Sequence, residues 1–212
     1  MFTGIVTAIG TIASTEQRGD LRVRINAPLD PATIDIGASI ACSGVCLTVV
    51  DRGGEAGNAW FEVDVSGESV SRTVTGLWEQ GRKLNIEPSL RLGDELGGHI
   101  VTGHVDSIGE VVMAREEGDS WKIAIRARAE MSPFIAEKGS ITVDGVSLTV
   151  NDVRDRPDGM CDFALNIIPH TGNVTTLGGL AVGDQVNLEI DVLARYLKRM
   201  QGLAAPTTQI GG

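Results

Sequence analysis

Cys42-Ser43-Gly44-Val45-Cys46-Leu47-Thr48-Val49 returns later in the chain as Val143-Asp144-Gly145-Val146-Ser147-Leu148-Thr149-Val150. Two further stretches return in the same order. Phe2-Thr3-Gly4-Ile5-Val6-Thr7-Ala8-Ile9-Gly10 is matched by Val101-Thr102-Gly103-His104-Val105-Asp106-Ser107-Ile108-Gly109, and Gly81-Arg82-Lys83-Leu84-Asn85-Ile86-Glu87 by Gly183-Asp184-Gln185-Val186-Asn187-Leu188-Glu189. The offsets are 101, 99 and 102 residues. Three ordered matches at nearly one offset mark a duplicated unit, and the halves meet near Leu96-Gly97-Gly98.

Each half reads as β-structure. Leu21-Arg22-Val23-Arg24-Ile25 and Trp121-Lys122-Ile123-Ala124-Ile125 alternate apolar and polar residues, the period of a half-buried strand. Gly-rich breaks at Arg18-Gly19-Asp20, Arg52-Gly53-Gly54 and Glu117-Gly118-Asp119 keep the strands short. Many short strands in under a hundred residues predict a small closed barrel, which leaves no exposed edge. The reading is all-β: one barrel over residues 1–96, a second over 97–189, a helix over 190–203 and a flexible tail over 204–212. In that helix Val192, Leu193, Tyr196, Leu197 and Met200 share one face, with Asp191 as cap and Gly202 as stop. The stripe either packs on its own barrel or forms an association surface. Shorter helical turns are expected over Met131–Ala136 and after Ser69 and Thr171.

Bulk properties narrow the function. The 212 residues carry a net charge of −10 with no Lys/Arg cluster, which disfavours nucleic acid and anionic membranes as partners. Three cysteines (Cys42, Cys46, Cys161) and no C-x-x-C make a poor disulfide framework and a poor zinc site. The start, Met1-Phe2-Thr3-Gly4-Ile5-Val6, has neither a basic leader nor a long apolar run. A cytoplasmic protein whose partner is a small neutral molecule or another protein chain is the expectation, with no metal.

The two copies diverge at chemically telling positions: Ser43 against Asp144, Cys46 against Ser147, and Ile5 against His104. Residues two apart in a strand share a face, so Ser147 pairs with Thr149, and Cys46 with Thr48. Such a pair offers an orienting platform for a polar heterocycle. Each feature also has a plainer reading. Strand hydroxyls are commonly structural, Asp144-Gly145 is a turn dipeptide, and Cys46 can be simple core. His99 and His104, five apart, fall on opposite faces of an undistorted strand unless Gly103 marks a bulge.

Met1-Phe2-Thr3-Gly4-Ile5-Val6, Gly97-Gly98-His99-Ile100-Val101-Thr102-Gly103-His104-Val105-Asp106 and Lys138-Gly139-Ser140-Ile141-Thr142-Val143-Asp144-Gly145-Val146-Ser147-Leu148-Thr149-Val150 together resemble the riboflavin synthase family. The resemblance runs from Met1 to about Met200. It implies two six-stranded Greek-key barrels, each able to bind a lumazine, and a C-terminal helix that holds a homotrimer. The implied reaction transfers a four-carbon unit between two molecules of 6,7-dimethyl-8-ribityllumazine, without a redox cofactor, to give riboflavin and 5-amino-6-ribitylaminouracil. The working site would lie where the first barrel of one copy faces the second barrel of another. Association with lumazine synthase is a further partnership the resemblance raises.

Carried over by position, the catalytic candidates are Ser147, Asp144, His104, Thr149 and Cys46. Ser147 and Thr149 orient the ring and relay protons, Asp144 supports the Ser147 hydroxyl, and His104 assists. In the first barrel Cys46, Leu47 and Thr48 meet the other lumazine near Gly4, Ile5 and Val6, with Asp64, Ser66, Glu68 and Ser69 lining that pocket. Ile168, Pro169, His170 and Thr171 line the second, with Leu148, Lys138, Gly103 and Val105 nearby, and Phe2 completes the site. Four positions depart from the family pattern: Ser43 stands where Asn is usual, Gly67 and Ser69 replace a bulkier residue and Thr, and His170 replaces Glu. Cys42 beside Ser43 is also unusual. The rival readings are a non-catalytic lumazine or flavin binder of the same fold, and a flavin oxidoreductase domain. The second would need a nicotinamide-binding partner domain, and no G-x-G-x-x-G follows a strand here.

Overall fold

Alternation along the strands decides which side of each faces the core. In the computed structural model, which describes residues 1–204 (side chains to 201), Val23, Ile25 and Ala27 are buried while Arg22, Arg24 and Asn26 are not. The first half contains β1 (Ala8–Arg18), β2 (Asp20–Ala27), β3 (Ser39–Cys42), β4 (Val45–Glu55), β5 (Asn58–Val65), the short helix α1 (Gly67–Arg72) and β6 (Lys83–Pro88). The strands close into an antiparallel barrel in the order β1-β2-β5-β4-β3-β6. Phe61, Val63, Leu84 and Ile86 fill its interior.

The second half repeats this with β7 (Ser107–Glu117), β8 (Ser120–Ala127), β9 (Ser140–Val143), β10 (Val146–Thr149), β11 (Asp152–Asp155), β12 (Cys161–Ile167), helix α2 (Pro169–Val174) and β13 (Gln185–Ile190). It has seven strands where six are expected, in the order β10-β9-β13-β7-β8-β12-β11. The extra strand is one strand in two pieces. Where β4 carries an irregularity between Val49 and Asp51, the second copy breaks at Val150-Asn151. The Val150 amide turns to Gly139 and the Asn151 amide to Ala164, so the two pieces pair with different neighbours. The first copy absorbs the same extra residue as a bulge.

The helical turns start earlier than expected. α1 begins at Gly67, capped by the Ser66 hydroxyl, and α2 begins with Pro169. The turn near Met131 is a single 3-10 turn, Ser132–Phe134. Helix α3 (Val192–Ala204) runs past Gly202, and its first turn is capped by the Asp191 carboxylate accepting from the Leu193 amide at 2.9 Å. No helix among the described residues is long and apolar enough to cross a membrane. The tail expected over 204–212 lies, beyond Ala204, outside the described residues.

Two asparagines from the third repeated motif join the barrels. Asn85 on β6 donates to the Asp144 carbonyl at 2.9 Å and accepts from the Thr176 amide at 2.8 Å. Asn187 on β13 donates to the Ser43 carbonyl at 3.0 Å and accepts from the Val74 amide at 2.9 Å. Both are 1% exposed, so each buried amide is satisfied on both ends only by the opposite barrel. The joint is therefore directional and nearly two-fold symmetric.

Candidate active site

The segments ahead of β1 and β7 cross over. Phe2 and Val101 pair as an antiparallel bridge, each amide donating to the other's carbonyl (2.8 and 3.0 Å). Phe2 is wholly buried there with Ala41 and Val101, and burying a phenylalanine is worth roughly 1.5–3 kcal/mol. Beyond this bridge Gly4 reaches the second barrel and Gly103 the first. The Ser147 amide donates to the Gly4 carbonyl at 2.9 Å, and the Cys46 amide to the Gly103 carbonyl at 2.8 Å. Both glycines have positive φ (+76° and +78°), and a β-carbon on either would stand 2.5–2.6 Å from the β-carbon of Ser147 or Cys46. Only glycine fits such an approach.

Two buried carboxylates shape these turns. Glu87 accepts from the Thr3 amide (2.7 Å), the Thr3 hydroxyl (2.8 Å) and the Gly4 amide (3.0 Å). Glu189 accepts from the Thr102 amide and hydroxyl (2.7 and 2.6 Å) and from the amides of Gly103 and His104 (2.9 and 3.1 Å). Burial pushes both carboxyls above the usual range, against these hydrogen bonds. Neither glutamate stood out in the sequence, although each closes the third repeated motif.

The crossing corrects the pocket assignments. Gly4 and Ile5 belong with Ser147 in the second barrel, and Gly103 and His104 with Cys46 in the first. Val45, Leu47 and Val49 face the core of the first barrel; Cys46 is half-buried and Thr48 exposed on its outer side. Ser147 and Thr149 take the same outer positions on β10. The candidate residues thus lie on the outer surfaces of the two barrels, each met by a turn from the other half, with Ile5, Thr48, His104 and Thr149 open to solvent. Val6 packs against the second barrel's core and Val105 against the first's.

The Ser147 hydroxyl has a partner that the sequence reading passed over. It lies 2.7 Å from Nδ1 of His99, whose Nε2 lies 3.1 Å from the buried Thr142 hydroxyl. Burial holds the imidazole below its usual range, with Asp191 opposing, which favours the neutral ring. Asp144, expected in this role, sits elsewhere. Ser43-Gly44 and Asp144-Gly145 form equivalent two-residue turns with all four φ values positive, the pattern of a type I′ hairpin. The Asp144 carboxylate accepts from the Asn187 amide at 2.8 Å, and burial raises it to about 7, opposed by that bond and by Arg82. Ser43 likewise accepts from the Asn85 amide at 3.1 Å. Its departure from the family pattern therefore falls on the joint between the barrels. A cavity of about 760 Å³ opens there, lined by Ser43, Arg82, Asp144 and Asp184 and touched by none of Cys46, Thr48, Ser147 or Thr149.

The remaining candidates are placed as follows. The Asp64 carboxylate is held by Arg22 in a two-pronged pair (2.6 and 3.0 Å). Ser66 and Ser69 bond each other across the cap of α1, and Glu68 is exposed beside them. Ile168, Pro169 and His170 are exposed at the start of α2, with Thr171 half-buried. Leu148 packs against the second core. Lys138 holds φ +62° where the first copy has Gly37 at +86°. Holding a bulky residue in the left-handed region costs about 1–2 kcal/mol. Cys42 is fully buried and its thiol pushed up by burial, whereas Cys46 is half-buried.

The family model for the lumazine binding domain matches residues 3–89 and again 102–191, one match per barrel. Riboflavin synthase of Brucella abortus (strain 2308) is 48% identical over 202 residues, 94% of this chain and 98% of its own. The chain belongs to the riboflavin synthase family. Riboflavin synthase of Mycobacterium tuberculosis (strain ATCC 25618 / H37Rv) is 43% identical over the same length, again covering 98% of that protein. Among solved structures, LumP complexed with riboflavin superposes with a TM-score of 0.73 at 26% identity, over 90% of this chain and 99% of its own. LumP complexed with 6,7-dimethyl-8-(1'-D-ribityl) lumazine gives 0.71, also at 26% identity.

Proposed function

We propose that the chain catalyses the dismutation of two 6,7-dimethyl-8-ribityllumazine molecules into riboflavin and 5-amino-6-ribitylaminouracil. The observation that carries this reading is the pair of similar but unequal pockets made by the crossing at Gly4 and Gly103. Two identical molecules must play different parts, one giving a four-carbon unit and one receiving it. One pocket offers Cys46, Thr48 and His104, the other Ser147, Thr149 and His99. The two products together contain all the atoms of the two substrates, so the balance needs no external oxidant or reductant.

The C7 methyl of a lumazine is acidic because the ring delocalises the carbanion. In this reading Ser147, paired with neutral His99, moves that proton, and Thr149 orients the ring. Cys46, Thr48 and His104 hold and polarise the second lumazine. Lys138 and the starts of α1 and α2 meet the ribityl chains. Holding two reactants in register can supply roughly 7–11 kcal/mol of the barrier in favourable cases, and positioned acid–base groups about 10²–10⁴-fold more. A site with few charges is therefore sufficient.

Each candidate surface is open in a single copy, and excluding water strengthens the electrostatic interactions at a reacting site. The reading therefore places the first pocket of one copy (barrel 1–96) over the second pocket of another (barrel 97–189), in a cytoplasmic homotrimer joined through the helix over 190–203. Leu193, Tyr196, Leu197 and Met200, each 59–64% exposed, form the face that would be covered. Docking with lumazine synthase would shorten the substrate's path. A non-catalytic lumazine carrier is the rival, and the greater identity to the riboflavin synthases (48% against 26% for LumP) favours the enzyme. The test is to incubate purified protein with the lumazine, without added cofactor, and follow riboflavin by absorbance and chromatography. Steady production supports the reading; tight binding without product overturns it in favour of the carrier.

A further inference from the structure

The repeat breaks at one place that the pockets do not explain. Asp106 stands where the first copy has Thr7, and Ile190, at the end of β13, stands where it has Pro88. Thr7 merely donates its hydroxyl to the Ile86 carbonyl at 3.2 Å. Asp106 does more: its Oδ2 accepts from the Ile190 amide at 2.9 Å, a donor that a proline lacks. Arg195, on the barrel-facing side of α3, then grips both oxygens, Nη1 at 2.8 Å from Oδ1 and Nη2 at 2.9 Å from Oδ2. The acid thus occurs in the copy that is followed by a helix, and it is bonded to that helix.

Asp106 lies two residues beyond His104. The stretch between them is held at one end by Glu189, which takes the amides of Thr102, Gly103 and His104, and at the other by Asp106 and Arg195. Two-pronged guanidinium–carboxylate pairs fix orientation as well as distance. Asp106 keeps 16% of its side-chain exposure and Arg195 41%, so the carboxylate end of the pair is the shielded one.

We propose that Arg195 is a positioning residue for His104: through Asp106 it locks the turn that presents His104 to the Cys46 pocket, and so ties the seating of α3 to that pocket. The inference rests on the reading above, in which His104 meets a bound lumazine. Arg195 touches no substrate; it acts through Asp106.

The test uses the full-length protein and three forms: wild type, Arg195→Met and Arg195→Lys. Turnover of 6,7-dimethyl-8-ribityllumazine is measured over substrate and protein concentration, with sedimentation at the assay concentration. The expected result is a fall in kcat of about tenfold or more in Arg195→Met with KM within about twofold, because a slightly misplaced group costs rate more than affinity. Arg195→Lys, which keeps one prong, recovers most of the loss. An unchanged kcat, a change in KM alone, or a loss that vanishes at higher protein concentration would overturn the proposal, the last by making Arg195 an assembly residue only. Absence of turnover in the wild type is a separate outcome: it removes the functional reading and the inference with it.

Discussion

Gly4 lies against Ser147, a residue of the opposite barrel: the serine amide donates to the glycine carbonyl at 2.9 Å, and a β-carbon at position 4 would stand 2.5 Å from that of the serine. Gly103 repeats the relation with Cys46. Gly4→Ala must leave the left-handed region or push the strand away. The left-handed conformation alone costs about 1–2 kcal/mol, so the melting temperature should fall by several degrees. Gly103→Ala should do the same. A calorimetric scan showing an unchanged melting temperature for either variant would remove the close approach from the account.

Ser147 and His99 act as a unit in this account. Ser147→Ala should slow turnover by roughly 10²–10⁴-fold while leaving the fold intact. His99→Gln should slow it by a comparable factor, and the double variant should be little slower than either single one. Multiplying losses in a double-mutant cycle would show that the two residues act independently.

Asp144 gives a pH signature with a definite sign. Its carboxyl is raised from 3.8 to about 7 in the folded chain. Between those values the folded state keeps a proton that the unfolded chain has lost. Stability contributed by this group is therefore greatest in acid and declines as pH rises from about 4 to about 7, then levels off. Asp144→Asn removes the dependence, so relative to wild type it should gain on the order of a few kcal/mol between pH 4.5 and pH 8. Urea midpoints at those two pH values decide the matter; a constant difference between the proteins would contradict it.

The exposed face of α3 should be an interface. Leu193→Lys with Leu197→Lys places two charges on residues that are 64% and 59% exposed in one copy, which should hardly affect the fold of a lone chain. Sedimentation should show a shift to monomer, with circular dichroism unchanged and turnover lost. A variant that stays associated and active would place the interface elsewhere.

The two-barrel fold was legible because duplication and alternation are one-dimensional signals. Val45, Leu47 and Val49 pointing inward, with Cys46 and Thr48 outward, follow from period two alone. What strand periodicity cannot encode is which barrel a turn reaches across to. The family resemblance, carried over by position, groups Gly4 with Cys46 and His104 with Ser147, although the chain crosses between them. Spacing alone leaves open whether His99 and His104 share a face, because that depends on whether Gly103 distorts the backbone. The backbone turns at Gly103, and His99 meets Ser147 from a preceding loop. Asp144 looked like a proton carrier but obeys the plainer turn rule for Asp-Gly. Glu87, Glu189, Asn85 and Asn187 were visible as repeated letters, and a buried role for each follows once their position on the last strand of each barrel is known.

In the proposed enzyme one working site joins the first pocket of one copy to the second pocket of another. Ser147→Ala damages one pocket and His104→Ala the other, and each alone should be strongly slowed. Unfolding the two variants together and refolding them as a mixture lets copies combine. A mixed assembly contains a site with both pockets intact, so the mixture should turn over lumazine well above the sum of the two variants, with one riboflavin formed for every two lumazines consumed. A mixture no more active than that sum would contradict the account.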